Sequence, residues 1–188
     1  MFNKKRIIGL CSAAIMLAAM AGAPAHAAPG DLVVSGGTLD FDPTGAPTFS
    51  VFSPVTLNGT PQLTSAMITP FTVVDPTGTG AGWHVVLTVP DLVNAAAYSG
   101  AGDTIAATNV TMSAPVIRGA AGSLTTGVTA SAVTGVGLST GVTIVSAALT
   151  DGEGTYLISP RILKVTVPDT AQTGTYASAA VVSIASTP

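Results

Sequence analysis

Residues 83–91 carry the sequence Trp-His-Val-Val-Leu-Thr-Val-Pro-Asp. The β-branched and aromatic residues of this run favour a strand. Pro90 has no backbone N–H to give to a neighbouring strand, so it is tolerated only where a strand ends or lies at a sheet edge. The segment therefore predicts a strand from Trp83 to Val89 that Pro90 ends, with the side chains of Trp83 and His84 on opposite faces.

The end of this strand has a counterpart later in the chain. Residues 87–91 are Leu-Thr-Val-Pro-Asp, and residues 165–169 are Val-Thr-Val-Pro-Asp. Two strands that end with the same turn chemistry explain the similarity. A duplicated half of a β-sandwich is the other explanation.

The rest of the chain has the same character, with short β-branched runs between glycine, proline, asparagine and aspartate. The chain holds 21 glycines and 13 prolines, and beyond the N-terminal segment no stretch is typical of a helix. The predicted strands are Thr48–Leu57, Ala66–Val74, Trp83–Val89, Thr104–Ile117, Thr125–Val136, Val142–Leu149, Tyr156–Val167 and Thr175–Ile184. So many short strands predict an all-β chain, folded as an antiparallel β-sandwich or a barrel-like sandwich.

The N-terminal segment is typical of a secretory signal peptide. Lys4, Lys5 and Arg6 precede an apolar run from residue 7 to about residue 23, which ends in Ala25-His26-Ala27. Such a segment predicts cleavage after Ala27, which divides the chain into a signal peptide (residues 1–27) and one β-rich domain (residues 28–188). An uncleaved anchor is the alternative. After cleavage we expect a secreted protein with no membrane insertion.

The charges restrict the partners of such a domain. Nine acidic residues would remain against three basic ones, a formal charge of −6. The basic residues, Arg118, Arg161 and Lys164, are dispersed in sequence, so no basic patch is expected and nucleic acid and anionic lipid are poor partners. Cleavage would also remove Cys11, the only cysteine, which excludes disulfides and thiolate chemistry.

Few side chains remain for catalysis or for a metal. His84 would be the only histidine, and general acid–base catalysis depends on histidine, lysine and paired carboxylates, so we expect no enzyme and no cofactor. The acid pairs Asp40/Asp42 and Asp151/Glu153 fit solvated turns. A weak surface calcium site is the alternative there, and no metal ligand is assigned.

The aromatic residues are the candidates for ligand binding. A ring that stacks on the apolar face of a sugar is a common way to hold an uncharged glycan. The candidate ligand-binding residues are Trp83, Tyr98, Tyr156 and Tyr176. For Trp83, which lies within a predicted strand, a place in the core is the alternative.

Two segments together resemble a known family. Residues 74–87 have an Asp-led turn, a glycine run and then Gly82-Trp83-His84-Val85. Later come Gly-Glu-Gly-Thr-Tyr at residues 152–156, Leu-Lys-Val-Thr-Val-Pro at residues 163–168 and Gly-Thr-Tyr at residues 174–176. In this order they resemble the WxL domain of Gram-positive surface proteins, although the second Trp-x-Leu motif stands here as Val182-Ser183-Ile184.

This resemblance implies a function at the cell surface. Members of the family attach non-covalently to the cell wall, and we therefore expect peptidoglycan or a companion cell-wall surface protein as the partner. The low charge of the Thr/Val/Gly-rich strands leaves a second possibility, because uncharged strand edges pair readily. In that case the chain would be a structural subunit of a surface fibre or layer assembled through β-strand pairing.

Overall fold

The computed structural model describes residues 34–95 and 102–187. Every regular element in these ranges is a β-strand except a short 3-10 turn at Ala107–Asn109. The strands are β1 (Asp40–Phe41), β2 (Gln62–Ile68), β3 (Phe71–Asp75), β4 (Trp83–Thr88), β5 (Leu92–Asn94), β6 (Thr104–Ile105), β7 (Val110–Met112), β8 (Ile117–Gly119), β9 (Val128–Ala130), β10 (Val142–Ala147), β11 (Gly154–Ile158), β12 (Arg161–Val167), β13 (Tyr176–Ala177) and β14 (Val181–Ser186).

The first sheet is long and is interrupted at a row of prolines. β2 pairs with β12 and β3 pairs with β11, all antiparallel, and the register that sets Ile68 opposite Arg161 continues as Phe71 opposite Ile158. On the other side, β7 pairs with β12 and β8 with β11, again in one continuous register. The interruption falls at Pro70, Pro115 and Pro160, because proline removes the donors that would continue the ladder.

The second sheet is built around β4. Its order is β14-β4-β10-β9, and all its pairs are antiparallel. Beyond Val89 the chain continues through Pro90 into β5, which lies between β13 and β6 in a small extension. The prediction that Pro90 ends the strand is confirmed, since β4 stops at Thr88.

The two sheets pack face to face over one hydrophobic core. Trp83, Val85 and Leu87 of β4 are fully buried, while His84 and Val86 alternate with them on the outer face. They meet inward residues of the first sheet such as Tyr156 and Leu163. Burial of alternate residues on two facing sheets is what defines a β-sandwich, and the all-β antiparallel fold expected from the sequence is confirmed.

One side of the sandwich is closed by a chain segment that belongs to both sheets. β9 pairs with β10 in the second sheet, and only three residues after β9 Val133 forms a bridge with Met112 of β7 in the first. The sandwich is therefore barrel-like on this side. The opposite side of the second sheet ends at β14.

Several strand boundaries differ from the sequence prediction. The segment Thr48–Leu57 is not a strand; it runs beside β2 with a single bridge, between Phe49 and Ile68. The predicted strands Ala66–Val74 and Tyr156–Val167 are each divided into two by a proline. The predicted strands Thr104–Ile117 and Thr125–Val136 contain only short strands, since glycine, proline and backbone-bonded turns interrupt them.

The described residues from Ser35 onward form one compact unit. The predicted signal peptide (residues 1–27) lies outside the described residues. Within the two described ranges, no helix has the length and hydrophobicity that crossing a membrane requires.

Candidate functional site

Two of the predicted ligand-binding rings lie in the core. Trp83 is completely buried and Tyr156 is 1% exposed, and their ring centroids are 5.6 Å apart. The Trp83 Nε1–H donates a 2.8 Å hydrogen bond to the carbonyl of Gly152. Neither ring presents a face to solvent, so neither is available to stack on a ligand, and for Trp83 the structure matches the core alternative.

Tyr176 is different, because its ring is only partly buried and lines an open groove. Its hydroxyl lies between the carbonyl oxygens of Gly102 and Gln172 and accepts a hydrogen bond from the backbone N–H of Gln172. These contacts fix the ring orientation. Tyr98, the fourth candidate, lies outside the described residues.

The groove beside Tyr176, which we call the neutral groove, has a volume of about 620 Å³. Residues 52–57 form one wall, residues 172–176 form another, and side chains of the first sheet and of the small extension form the floor. None of the residues that line it is charged. The full lining is Phe52, Ser53, Pro54, Val55, Thr56, Leu57, Thr64, Leu92, Ile105, Val165, Val167, Gln172, Thr173, Gly174, Thr175 and Tyr176.

The wall at residues 52–57 explains why sequence alone did not find this groove. Phe52, Val55 and Leu57 pack against the core, and Pro54 lies between them. The backbone is held by two bonds at Ser53, whose N–H donates to Ser65 O and whose carbonyl accepts from the Thr64 hydroxyl. The segment that was predicted to be a strand is instead the irregular wall of a groove.

The lining suits an uncharged ligand with apolar faces and hydroxyl or amide groups. The aromatic and aliphatic side chains supply apolar area, and the threonines and Gln172 supply polar atoms that can orient a ligand. A charged ligand would lose hydration in this groove without finding an opposite charge.

One pattern suggestive of an enzyme was missed from the sequence. Residues 137–141 are Gly-Leu-Ser-Thr-Gly and match Gly-x-Ser-x-Gly, which in hydrolases places a nucleophilic serine between a strand and a helix. Here the segment is a tight turn, held by bonds from the N–H groups of residues 140 and 141 to the Gly137 carbonyl. It leads into a strand, β10, so the structural context of a nucleophile elbow is not met.

His84 lies on the outer face of the second sheet. Its neighbours across the sheet are Ser146 of β10 and Ala185 of β14, and the Ser146 hydroxyl bonds to Thr129. This row of side chains contains no carboxylate to orient an imidazole, so it does not form a Ser-His-Asp arrangement.

Of the two acid pairs, Asp40 lies in β1, and Asp42, Asp151 and Glu153 lie in loops between strands. Asp42 accepts hydrogen bonds from the hydroxyl and the backbone N–H of Thr44. Both bonds hold the pKa of Asp42 below its ordinary value, and the bond from the hydroxyl has the larger effect. Glu153 accepts a bond from the N–H of Gly80. Among the described residues no three potential metal ligands come together.

The basic residues are not dispersed in space, and this corrects the expectation from the sequence. Lys164 lies opposite Thr111 and Arg118 opposite Leu157. Arg161 lines two hollows on the outer face of the first sheet, one with Lys164 and one with Arg118. All three cations therefore share one face, because the register of β7–β8 against β11–β12 places residues distant in sequence side by side.

No model of a known protein family, no curated protein and no solved structure matches this chain.

Proposed function

We propose that this chain is a secreted, non-enzymatic surface protein that attaches non-covalently to the cell wall. The observation that carries the proposal is the neutral groove, which offers a fixed tyrosine ring, apolar walls and hydroxyl groups without a charge. A signal-peptide-like N-terminus and the resemblance to the WxL family support the same location.

The ligand that fits the groove best is an uncharged part of peptidoglycan, such as its glycan strand. The ring of Tyr176 and the apolar wall suit the face of a sugar, while the threonines can bond to hydroxyl and amide groups. A companion cell-wall protein that inserts an uncharged segment is the other partner expected from the resemblance.

Co-sedimentation with isolated peptidoglycan tests the proposal. We expect the protein, purified after expression of the full chain, to sediment with peptidoglycan, and we expect removal of teichoic acid to leave this binding in place. If no more protein sediments than a control protein of similar charge, the proposal is wrong.

A charge placed in the groove locates the site. Thr56→Lys puts an exposed ammonium into the neutral lining and should weaken binding at least about tenfold, because the ligand would trap an unpaired charge. Val51→Lys is the matched control, since Val51 is 91% exposed and is not part of the lining. Equal binding of the two variants would exclude this groove as the site.

A second candidate function is assembly through strand pairing, and β14 favours it. Among the described strands β14 pairs only with β4, so its other edge is open there. Charged residues and prolines are the usual protections of an edge strand. The sequence of β14, Val-Val-Ser-Ile-Ala-Ser, contains neither. Such an edge can accept a strand of another molecule and extend the sheet.

Light scattering at increasing concentration tests this second function. If strand pairing at β14 assembles the protein, Val181→Lys should suppress the growth of particles. Val93→Lys is the control, because Val93 and Val181 are both 53% exposed but β5 already has neighbours on both sides. A wild-type protein that remains monomeric excludes assembly by this edge.

A further inference from the structure

The outer face of the first sheet combines positive charge with exposed apolar side chains. We call it the basic face. Arg118 lies opposite Leu157, which is four residues before Arg161 along β11–β12. Lys164 is three residues after Arg161. At about 3.3 Å per residue, these steps are roughly 13 Å and 10 Å. The exposed apolar residues of this face include Met67, Val116, Leu157 and Ile162.

The cations of this face are available for an external partner. Arg161 donates from Nε–H to the carbonyl of Ala114 at 2.8 Å and from Nη1 to the carbonyl of Pro160 at 3.4 Å, and its other guanidinium donors point to no described partner. No carboxylate of residues 34–95 or 102–187 forms an ion pair with Arg118, Arg161 or Lys164. The hollows on either side of Arg161, of about 620 and 360 Å³, give apolar side chains a place to insert.

A complementary surface lies at one end of the same molecule. We call it the acidic tip. It is formed by the loop at residues 120–127 and the loop at residues 148–153, which are joined by a bond from Ala148 N–H to Gly127 O. It presents Asp151 and Glu153 together with two exposed leucines, Leu124 (75%) and Leu149 (66%).

We propose that the acidic tip of one copy of this chain docks on the basic face of a second copy. The leucines would enter the hollows beside Arg161, and the two carboxylates would face Arg161 and one neighbouring cation, Arg118 or Lys164. Charge complementarity argues for a second copy, because both halves of the contact are present on one chain: carboxylates beside exposed leucines at the tip, and cations beside hollows on the face. The apolar content argues against a simple polyanion, which has no use for the hollows.

The contact joins two different surfaces, so it is head-to-tail and each copy keeps one free tip and one free face. Such an interface produces rings if its rotation closes and open chains if it does not. This assembly goes beyond wall attachment, and it uses side chains rather than the β14 edge. Because exposed charges are screened by salt, it should weaken as ionic strength rises.

Sedimentation velocity with two variants tests the contact. The face variant is Arg118→Gln/Lys164→Gln, and the tip variant is Leu149→Ala/Glu153→Gln; both change exposed residues, and the glutamine at 153 keeps an acceptor for the N–H of Gly80. We expect the wild-type protein at low salt to associate more as its concentration rises and to dissociate at about 0.5 M NaCl. Each variant alone should remain monomeric, with thermal unfolding like that of the wild type.

Mixing the two variants is the decisive measurement. The face variant keeps a normal tip and the tip variant keeps a normal face, so an equimolar mixture should form complexes of two chains and stop there. A chain that carries all four changes should bind neither variant. The proposal is wrong if the wild type is monomeric or if neither variant changes its association. It is also wrong if the association is insensitive to salt and is lost in Val181→Lys, because that result would assign it to the β14 edge.

Discussion

The indole of Trp83 and the carbonyl of Gly152 are joined by a 2.8 Å hydrogen bond in the core. Trp83 begins β4 in the second sheet, and Gly152 lies in the turn before β11 in the first. Gly152 has a positive φ of 87°, and a Cβ on it would lie 2.7 Å from the Trp83 Nε1 and 2.3 Å from the Cβ of Ala147. The glycine is what allows the turn to reach the indole.

Gly152→Ala should therefore destabilise the fold through packing as well as through the backbone. A positive φ costs an alanine about 1 kcal/mol, and the overpacked contacts add about 1–3 kcal/mol. Gly59→Ala is the matched control, because Gly59 has a φ of 83° and nothing within 4 Å of its Cβ position. Chemical denaturation of the two variants measures the difference, and equal losses would contradict the packing argument.

Replacement of Trp83 should affect stability and leave the intrinsic affinity for a ligand unchanged. Trp83→Phe loses the bond to Gly152 and leaves part of the ring volume empty, which should lower the free energy of unfolding by about 2–4 kcal/mol. Below the unfolding transition the folded variant should co-sediment with peptidoglycan as the wild type does. A loss of binding in the folded variant would show that the ring acts on the ligand.

The sequence predicted the strand class well, because β-branched runs and Pro90 are local signals. Pro70 and Pro160 carry the same local signal as Pro90, so the division of two predicted strands was within reach of the sequence. The groove wall at residues 52–57 was not, since it depends on the strand that lies beside it. The side chains of Arg118 and Lys164 share a face only through their pairing with β11–β12 and β7–β8. The neutral groove likewise depends on contacts between segments far apart in sequence, and only Tyr176 was a candidate from sequence.

The turn at Asp42 should show its hydrogen bonds in an acid titration. The hydroxyl and the N–H of Thr44 stabilise the carboxylate form, so the pKa of Asp42 lies below its ordinary value. Thr44→Val removes the hydroxyl and should raise this pKa in a carboxyl-carbon NMR titration. Thr60→Val, in the similar turn at Asn58, should leave it unchanged. No change in Thr44→Val would mean that the hydroxyl does not hold the carboxylate.

Tyr156 should make the fold sensitive to alkaline pH. Burial raises the pKa of its phenol above the ordinary value of about 10, and the negative charges of Asp151, Asp75 and Glu153 raise it further. Between the two pKa values the Tyr156 phenol keeps its proton in the folded state and has lost it in the unfolded state. The contribution of this group to stability is therefore fully present below about pH 10 and is lost as the pH rises through the folded pKa.

Tyr156→Phe isolates this effect. The variant loses the phenol that lies 2.9 Å from the carbonyl oxygen of Leu124, which should cost about 1 kcal/mol at neutral pH. Above pH 10 the wild type should lose stability faster than the variant, and the gap between them should narrow. Denaturation curves at several pH values measure the gap, and absorbance at 295 nm should show one of the three tyrosines ionising late in the wild type alone. A constant gap with no late tyrosine would contradict the burial of this phenol.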